Sequence, residues 1–312
     1  MTVAFIFPGQ GSQFPGMLQS LPVHPAVEAT MDEASSILQQ DVLSLHNSAA
    51  LSSTVSVQLA LLVSGVAAGR ALLQDGALPD FVAGHSVGAF SAAVISGALD
   101  FRDSLYLVKL RASLMENFFP SGYGMGVIVG IHEQKVRSMV AAASKQDKEV
   151  FIANLNSPQQ ITIAGKLEHL ERMLSEARAI GARKAELLHV PVPSHCKLLN
   201  PVSHQLKRSM ESIELKDPRF PYIANTNARL LRKAAAIRDD LACGVANIVH
   251  WHKATTLLSE LGVRLFLEMP PGHILTSLAH QALPSVQSIA LEKTRLDSAV
   301  YLVNREHGYD RA

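Results

Sequence analysis

The run Phe81-Val82-Ala83-Gly84-His85-Ser86-Val87-Gly88-Ala89-Phe90 constrains this chain more than any other stretch. It sets Gly-x-Ser-x-Gly behind a short apolar segment and ahead of a stretch rich in small residues. That is the nucleophile-elbow pattern, in which a sharp strand-to-helix turn thrusts a serine Oγ into a cleft. The flanking glycines answer to backbone segments that approach too closely for a Cβ. The pattern predicts a buried strand ending at Ala83 and a helix over Val87–Ser96, hence an α/β chain. Ser86 becomes a candidate nucleophile for covalent acyl chemistry. An inert serine in a Gly-rich turn is the competing reading. The rest of the chain must therefore supply a base, an oxyanion site and an acyl pocket.

With 312 residues, 48% of them hydrophobic and 18% charged, the chain can bury a sizeable core, as one large α/β domain or a large domain with a smaller one. A net charge of +1 leaves no electrostatic footprint for nucleic acid. Cys196 and Cys243 are too few for a disulfide framework and fit the reduced thiols of a cytoplasmic protein. The segment from Met1 to Pro8 has no basic n-region, and its apolar run is too short for a signal peptide, so it reads as a first buried strand. The longest apolar stretch, Val55 to Leu73, is interrupted by Gln58, Ser64, Gly65 and Arg70. A membrane span needs about 20 cleanly apolar residues. A buried or interface helix is expected instead, with no membrane partner.

Along the chain, Phe5–Phe7 reads as a strand running into the Gly-rich loop Pro8-Gly9-Gln10-Gly11-Ser12-Gln13. Helical patterns follow at Pro25–Leu38, Val55–Gln74, Val87–Ser96 and Asp103–Phe119. From Met125 the order changes to strand (Met125–Gly130), helix (Glu133–Ala143), strand (Val150–Asn154), strand (Gln160–Ala164), helix (Leu167–Ile180) and strand (Lys184–Leu188). That is the ferredoxin-like β-α-β-β-α-β unit, with Asn156-Ser157-Pro158 as its hairpin turn. It predicts a small subdomain over residues 125–189 inserted into a larger domain made of 1–124 and 190–312. Beyond a helical stretch, Pro221–Asn225 and Arg264–Met269 read as further core strands.

A serine needs a base at neutral pH. Of the 13 histidines, His195 stands out because it follows the rigid Val190-Pro-Val-Pro-Ser194 at the junction of the two expected domains, where clefts form. His85 adjoins Ser86, points away from it on the turn, and is expected to brace the elbow. An oxyanion hole needs two backbone N–H groups. Val87, the residue after the serine, supplies one. The loop around Gln10, with glycine on both sides, is the candidate for the other, since Gly-Gln-Gly-Ser lacks the lysine and spacing of a P-loop. Arg111, within a helix, is either a solvated arginine or a guanidinium that faces the cleft to hold a substrate carboxylate. No third ligand accompanies His250-x-His252, so no metal site is expected.

These residues resemble a family. Phe7-Pro-Gly-Gln-Gly-Ser-Gln13, Gly84-His-Ser-Val-Gly88, Arg111 and Val192-Pro-Ser-His195 occur in the order of the malonyl-CoA:acyl carrier protein transacylases, and Trp251 and Glu268-Met-Pro-Pro-Gly-His273 are similar to that family's C-terminal blocks. The resemblance spans nearly the whole chain. It implies an α/β-hydrolase-like core with an inserted ferredoxin-like subdomain, and no permanently bound cofactor. It implies Ser86 as nucleophile, His195 as base, Gln10 and Val87 N–H groups as the oxyanion hole, and Arg111 as the clamp on the malonyl carboxylate. It also implies a Ser–His dyad whose histidine is oriented by a backbone carbonyl. The family takes that carbonyl from a glutamine just before the tryptophan, a position held here by His250.

One departure bears on the acceptor. Fatty-acid-synthesis members continue the elbow with Glu-Tyr, whereas this chain has Ala89-Phe90. With Pro120-Ser-Gly-Tyr-Gly-Met-Gly126, that continuation resembles the transacylase (epsilon) subunit of bacterial malonate decarboxylase. The expected donor is malonyl-CoA and the expected partner an acyl carrier subunit, with other decarboxylase subunits in the complex. The acceptor arm is then phosphoribosyl-dephospho-CoA. The transacylase of fatty-acid synthesis, with a phosphopantetheine arm, is the alternative. A serine hydrolase would want an acid between Ser86 and His195. The candidates Asp147 and Glu168 fall inside the small subdomain, far from a triad position. A non-catalytic carrier-binding subunit would not need nucleophile, base, hole and clamp together.

Overall fold

In the computed structural model, which describes residues 2–119, 121–146 and 148–308, the strands are β1 (Thr2–Phe7), β2 (Phe81–Gly84), β3 (Tyr123–Val129), β4 (Val150–Ser157), β5 (Gln160–Lys166), β6 (Lys184–Leu187), β7 (Tyr222–Ile223), β8 (Leu230–Leu231), β9 (Val263–Glu268) and β10 (Gln287–Ala290). The N-terminal apolar run lies inside a six-stranded sheet of order β10-β9-β1-β2-β7-β8. Only the β7–β8 pair in that sheet is antiparallel. A parallel sheet covered on both faces wants strands without polar alternation. β1 obeys this: Val3, Phe5 and Phe7 enter one buried cluster, and Ala4 and Ile6 enter the cluster on the opposite face.

Helix Thr54–Gln74 is the expected apolar helix. Ser53 caps it, its Oγ accepting from Val55 N and Ser56 N. By length and composition this helix passes for a membrane span, yet 83% of its apolar window is buried inside the protein. Its hydrophobicity is that of a core helix.

The second sheet has the order β4-β5-β3-β6, with every neighbouring pair antiparallel. Helix Glu133–Ser144 connects β3 to β4 and helix Leu167–Ala179 connects β5 to β6. Strand periodicity divides the two faces of this sheet. Ile128, Ile161 and Ile163 pack with Val136, Leu170 and Met173 of those helices, whereas Met125, Val127 and Val129 line a cleft toward the large sheet. The β4–β5 turn is Pro158-Gln159, not the expected Asn156-Ser157-Pro158, because β4 runs on to pair Ser157 with Gln160. That extension keeps Asn156 in the strand. Strand β4 is tied to the larger part of the chain at Val249, just before helix Trp251–Glu260: the Val249 N–H donates to Ala153 O and the Val249 carbonyl accepts from Leu155 N, both at 2.9 Å.

Strands β8 and β10, and the helices Ala234–Cys243, Trp251–Glu260, Ile274–Ala282 and Leu296–His307, were not among the expected elements. The two strands are short, and Gln287-Ser288 gives β10 a polar start.

Candidate active site

The elbow exists because β2 stops where the chain must turn sharply under β1. A Cβ on Gly84 would stand 2.1 Å from the Gly88 carbonyl, and one on Gly88 would stand 2.3 Å from Phe7 O. Real side chains do not reach such separations, so both positions require glycine. Between them Ser86 adopts φ 56°, a left-handed conformation unusual for a residue with a side chain. The turn is anchored by His85 N, which donates to Phe7 O at 2.8 Å.

Ser86 Oγ donates to His195 Nε2 at 2.6 Å, although the two residues are 109 positions apart. The tautomer follows from the other ring nitrogen. His195 Nδ1 lies 2.7 Å from Gly244 O, which can only accept, so Nδ1 carries the proton and Nε2 is free to receive one. The orienting carbonyl is therefore Gly244, not His250. His250 donates its own N–H to Asn225 O at 2.9 Å, and its Nδ1 is buried without a partner among the described residues. His195, 2% exposed, is held well below the ordinary histidine range at about 3, by burial first and by the neighbouring Arg111 charge second.

Neither Gln10 N–H nor Val87 N–H has a hydrogen-bond acceptor among the described residues. Both belong to segments packed on Ser86. Val87 precedes helix Gly88–Ile95, and a Cβ on Gly9 would lie 3.2 Å from Ser86 Cβ. His85 braces the elbow toward the small sheet: its Nε2 lies 3.0 Å from Asn156 Oδ1 and 3.1 Å from Asn154 Nδ2, and its ring meets Trp251 edge-on. Burial lowers its pKa.

Arg111 comes from helix Phe101–Phe118 and is 2% exposed. One guanidinium nitrogen donates to Gln58 Oε1 at 2.6 Å, and another points at Ser86 Oγ from 3.4 Å. No carboxylate pairs with it among the described residues. Desolvation lowers its pKa to about 10, so it stays cationic at neutral pH. A buried cation without an anion is costly unless something supplies one. This guanidinium lies beside the serine.

Two partners escaped the sequence reading. Gln58, buried in the apolar helix Thr54–Gln74, fixes the guanidinium; its signal was the polar interruption itself. Asn225 takes Ser86 N–H on Oδ1 at 3.0 Å and donates to Gly84 O at 2.8 Å. Nothing in the sequence tied it to a serine 139 positions away. Of the acid candidates, Glu168 is an exposed ion-pair partner of Arg172 on the outer helix, and Asp147, like Pro120, lies outside the described residues. No group of three or more His, Cys, Asp or Glu among the described residues is placed to hold a metal.

The site opens on a cleft of about 360 Å³ between the sheets. Its floor carries Gln10, Ser86 and His195, and its walls are Met125, Val127, Asn154 and Leu278. Because His195 stays neutral far below pH 6.5, enzyme acylation should show no acidic limb between about pH 5 and 7. The check is the pH profile of kcat/KM for the acyl donor. A fall centred near 6.5 would mean that the imidazole is solvated and ordinary.

An elbow serine bonded to a carbonyl-oriented histidine has the geometry of an acyl-transfer or hydrolytic site, and a buried guanidinium lies beside it. The comparisons agree with that class: the acyl transferase domain model matches residues 4–296. The malonyl CoA-acyl carrier protein transacylase of Escherichia coli K12 is 36% identical over 296 residues, covering 93% of this chain and 96% of that protein. That of Bacillus subtilis strain 168 is 32% identical, covering 98% of each. Among solved structures, the Coxiella burnetii transacylase superposes with a TM-score of 0.92 at 33% identity, covering 98% of both chains. A malonyl-transacylase solved with its type II polyketide acyl carrier protein gives 0.91 at 37% identity, covering 97% of this chain and all of that one. The chain belongs to the malonyl-CoA:acyl carrier protein transacylase family.

Proposed function

We propose that this enzyme moves malonyl from malonyl-CoA to the thiol of a carrier-protein phosphopantetheine arm, through a malonyl ester on Ser86. The observation that carries the reading is the buried, carboxylate-free Arg111 guanidinium aimed at a serine already bonded to its base. His195 Nε2 takes the Ser86 proton as Oγ adds to the thioester carbonyl. The oxyanion lies on the Gln10 and Val87 N–H groups. The C–S bond breaks and His195 returns the proton to the departing CoA sulfur. The carrier thiol then enters and gives its proton to His195. Its sulfur attacks the ester and releases Ser86 Oγ, which recovers the proton. Arg111 holds the malonyl carboxylate throughout, and no cofactor stays bound.

We read the large sheet and its helices, residues 1–124 and 190–312, as an α/β-hydrolase-like domain. Residues 125–189 form a ferredoxin-like subdomain, since four antiparallel strands in the order β4-β5-β3-β6 with two crossing helices are that topology. The cleft between them admits the long thiol arm. The free thiols of Cys196 and Cys243 fit a cytoplasmic setting.

The relatives are named for acyl carrier protein, which favours a phosphopantetheine carrier of the fatty-acid-synthesis kind over the malonate decarboxylase carrier. The second reading rests on Ala89-Phe90 after the elbow. The test offers malonyl-CoA with a phosphopantetheine carrier and, separately, with a phosphoribosyl-dephospho-CoA carrier. Transfer should be faster to the first. Preference for the second would assign the chain to malonate decarboxylation.

A further inference from the structure

One short stretch of chain holds both halves of the Ser86–His195 pair. The Asp240 carboxylate, 5% exposed, accepts four hydrogen bonds. One oxygen takes Tyr222 Oη at 2.9 Å and Asn225 N at 3.0 Å; the other takes Thr226 N at 3.0 Å and Thr226 Oγ1 at 2.7 Å. Asn225, so fixed, bridges the elbow from Gly84 O to Ser86 N. It thereby supplies an acceptor to the one residue of the turn whose backbone is held at φ 56°. A residue persists in such a conformation only where its surroundings over-determine it.

The same aspartate reaches the histidine by another route. Asp240 lies on helix Ala234–Cys243, and its main-chain carbonyl accepts the N–H of Gly244, the cap of that helix. Gly244 O receives His195 Nδ1–H at 2.7 Å, and Val245 O receives His195 N–H at 2.8 Å. The carboxylate sets the serine side and the backbone of the same residue sets the histidine side. Neither touches the reacting atoms.

The geometry points to Asn225 and Asp240 as positioning residues that fix the register between Ser86 Oγ and His195 Nε2, an inference that rests on those two groups acting as nucleophile and base. An aspartate thus does the aligning work of a third catalytic acid from behind the dyad, through an amide and a turn. The mechanism leaves these two residues unused, yet their polar groups are buried and satisfied only by this network.

The test is single-turnover acylation by malonyl-CoA, read by intact mass. It starts from wild-type protein, where loss of the adduct on Ser86→Ala establishes the nucleophile; an adduct that persists there would sink the dyad itself before any question of positioning. Given that adduct, Asn225→Ala should acylate about 10²-fold more slowly at saturating donor, the scale of loss from an ångström of misalignment. KM should stay within about twofold, because the binding groups are intact. Asp240→Asn, which turns an NH2 against donors it now accepts from, should lose about tenfold. Thr30→Val, a buried change remote from the site, controls for stability and should acylate at the wild-type rate per folded molecule. An Asn225→Ala protein that acylates within about threefold of wild type would overturn the inference. So would a rate loss that only tracks the folded fraction measured by circular dichroism. Should Asn225→Ala not fold, Asp240→Asn is read by the same criteria.

Discussion

Ser86→Ala should leave no malonyl-enzyme and lower transfer by about 10⁶-fold, the usual loss when an activated nucleophile is removed. The size follows from the chemistry. His195 has been placed to take a proton from one oxygen, 2.6 Å away, and without that oxygen it has nothing to activate. The void left by an alanine Oγ-for-hydrogen exchange is small, and the backbone of residue 86 keeps its Asn225 acceptor, so folding should be little affected. Intact mass after exposure to malonyl-CoA should show the unmodified chain, where wild type gains about 86 Da for the acyl group. An adduct of that mass on the alanine variant would put the nucleophile elsewhere. Of the other nucleophiles near the cleft, Cys196 is a poor substitute. It is buried, its Sγ donates to Pro193 O at 3.2 Å, and desolvation raises its pKa to about 12.

What the sequence made legible is the part of the site carried by side-chain identity and local backbone demand. Gly84 and Gly88 had to be glycine for the turn to close, and the turn announced Ser86. A Pro-rich approach announced His195, and Arg111 was recognisable as a charge in a helix. The resemblance implies a carbonyl at His250 and His195 bonds Gly244 O instead, because every residue has a carbonyl and nothing in a side chain advertises which one is used. Asn225 and Asp240 were hidden for a related reason. Their function lies in contacts across 139 and 15 positions, and each residue type is common in turns. Gln58 was visible as a blemish in an apolar helix but unassigned, since its partner Arg111 is 53 positions distant. In the fold, the elements of the first half end within three residues of the expected bounds, the largest differences being the start of β1 and the end of β4. The later helices are short, between 9 and 12 residues, and give a weaker local signal.

The acceptor shows the same boundary from the functional side. Ala89 and Phe90 are buried in helix Gly88–Ile95, directed into the protein rather than at an arriving carrier. A motif difference at buried positions reports on packing behind the nucleophile more directly than on the partner. That is why two residues after the elbow pointed to malonate decarboxylation while the full-length likeness favours an acyl carrier protein acceptor.

Arg111→Ala should cost malonyl transfer about 2–5 kcal/mol, or roughly 30- to 5,000-fold in kcat/KM, the range for removing one partner of a buried charge pair. Acetyl transfer should change far less or rise. The sign for acetyl comes from the surroundings of the guanidinium, which is buried, cationic with a pKa of about 10, and bonded to the Gln58 amide and the Ser86 hydroxyl with no carboxylate among the described residues. An acetyl group entering wild-type enzyme leaves that charge unpaired while excluding the water that would otherwise screen it, a penalty of about 1–3 kcal/mol. Alanine removes both the reward for malonyl and the penalty for acetyl, so the malonyl-to-acetyl ratio should collapse from two directions. The variant should also lose some melting temperature, because relief of the buried charge is set against a cavity and a Gln58 Oε1 left without its donor, so rates are compared per folded molecule. Paired rates with malonyl-CoA and acetyl-CoA on wild type and variant decide it. Equal losses on both donors would show Arg111 supporting the serine rather than reading the carboxylate.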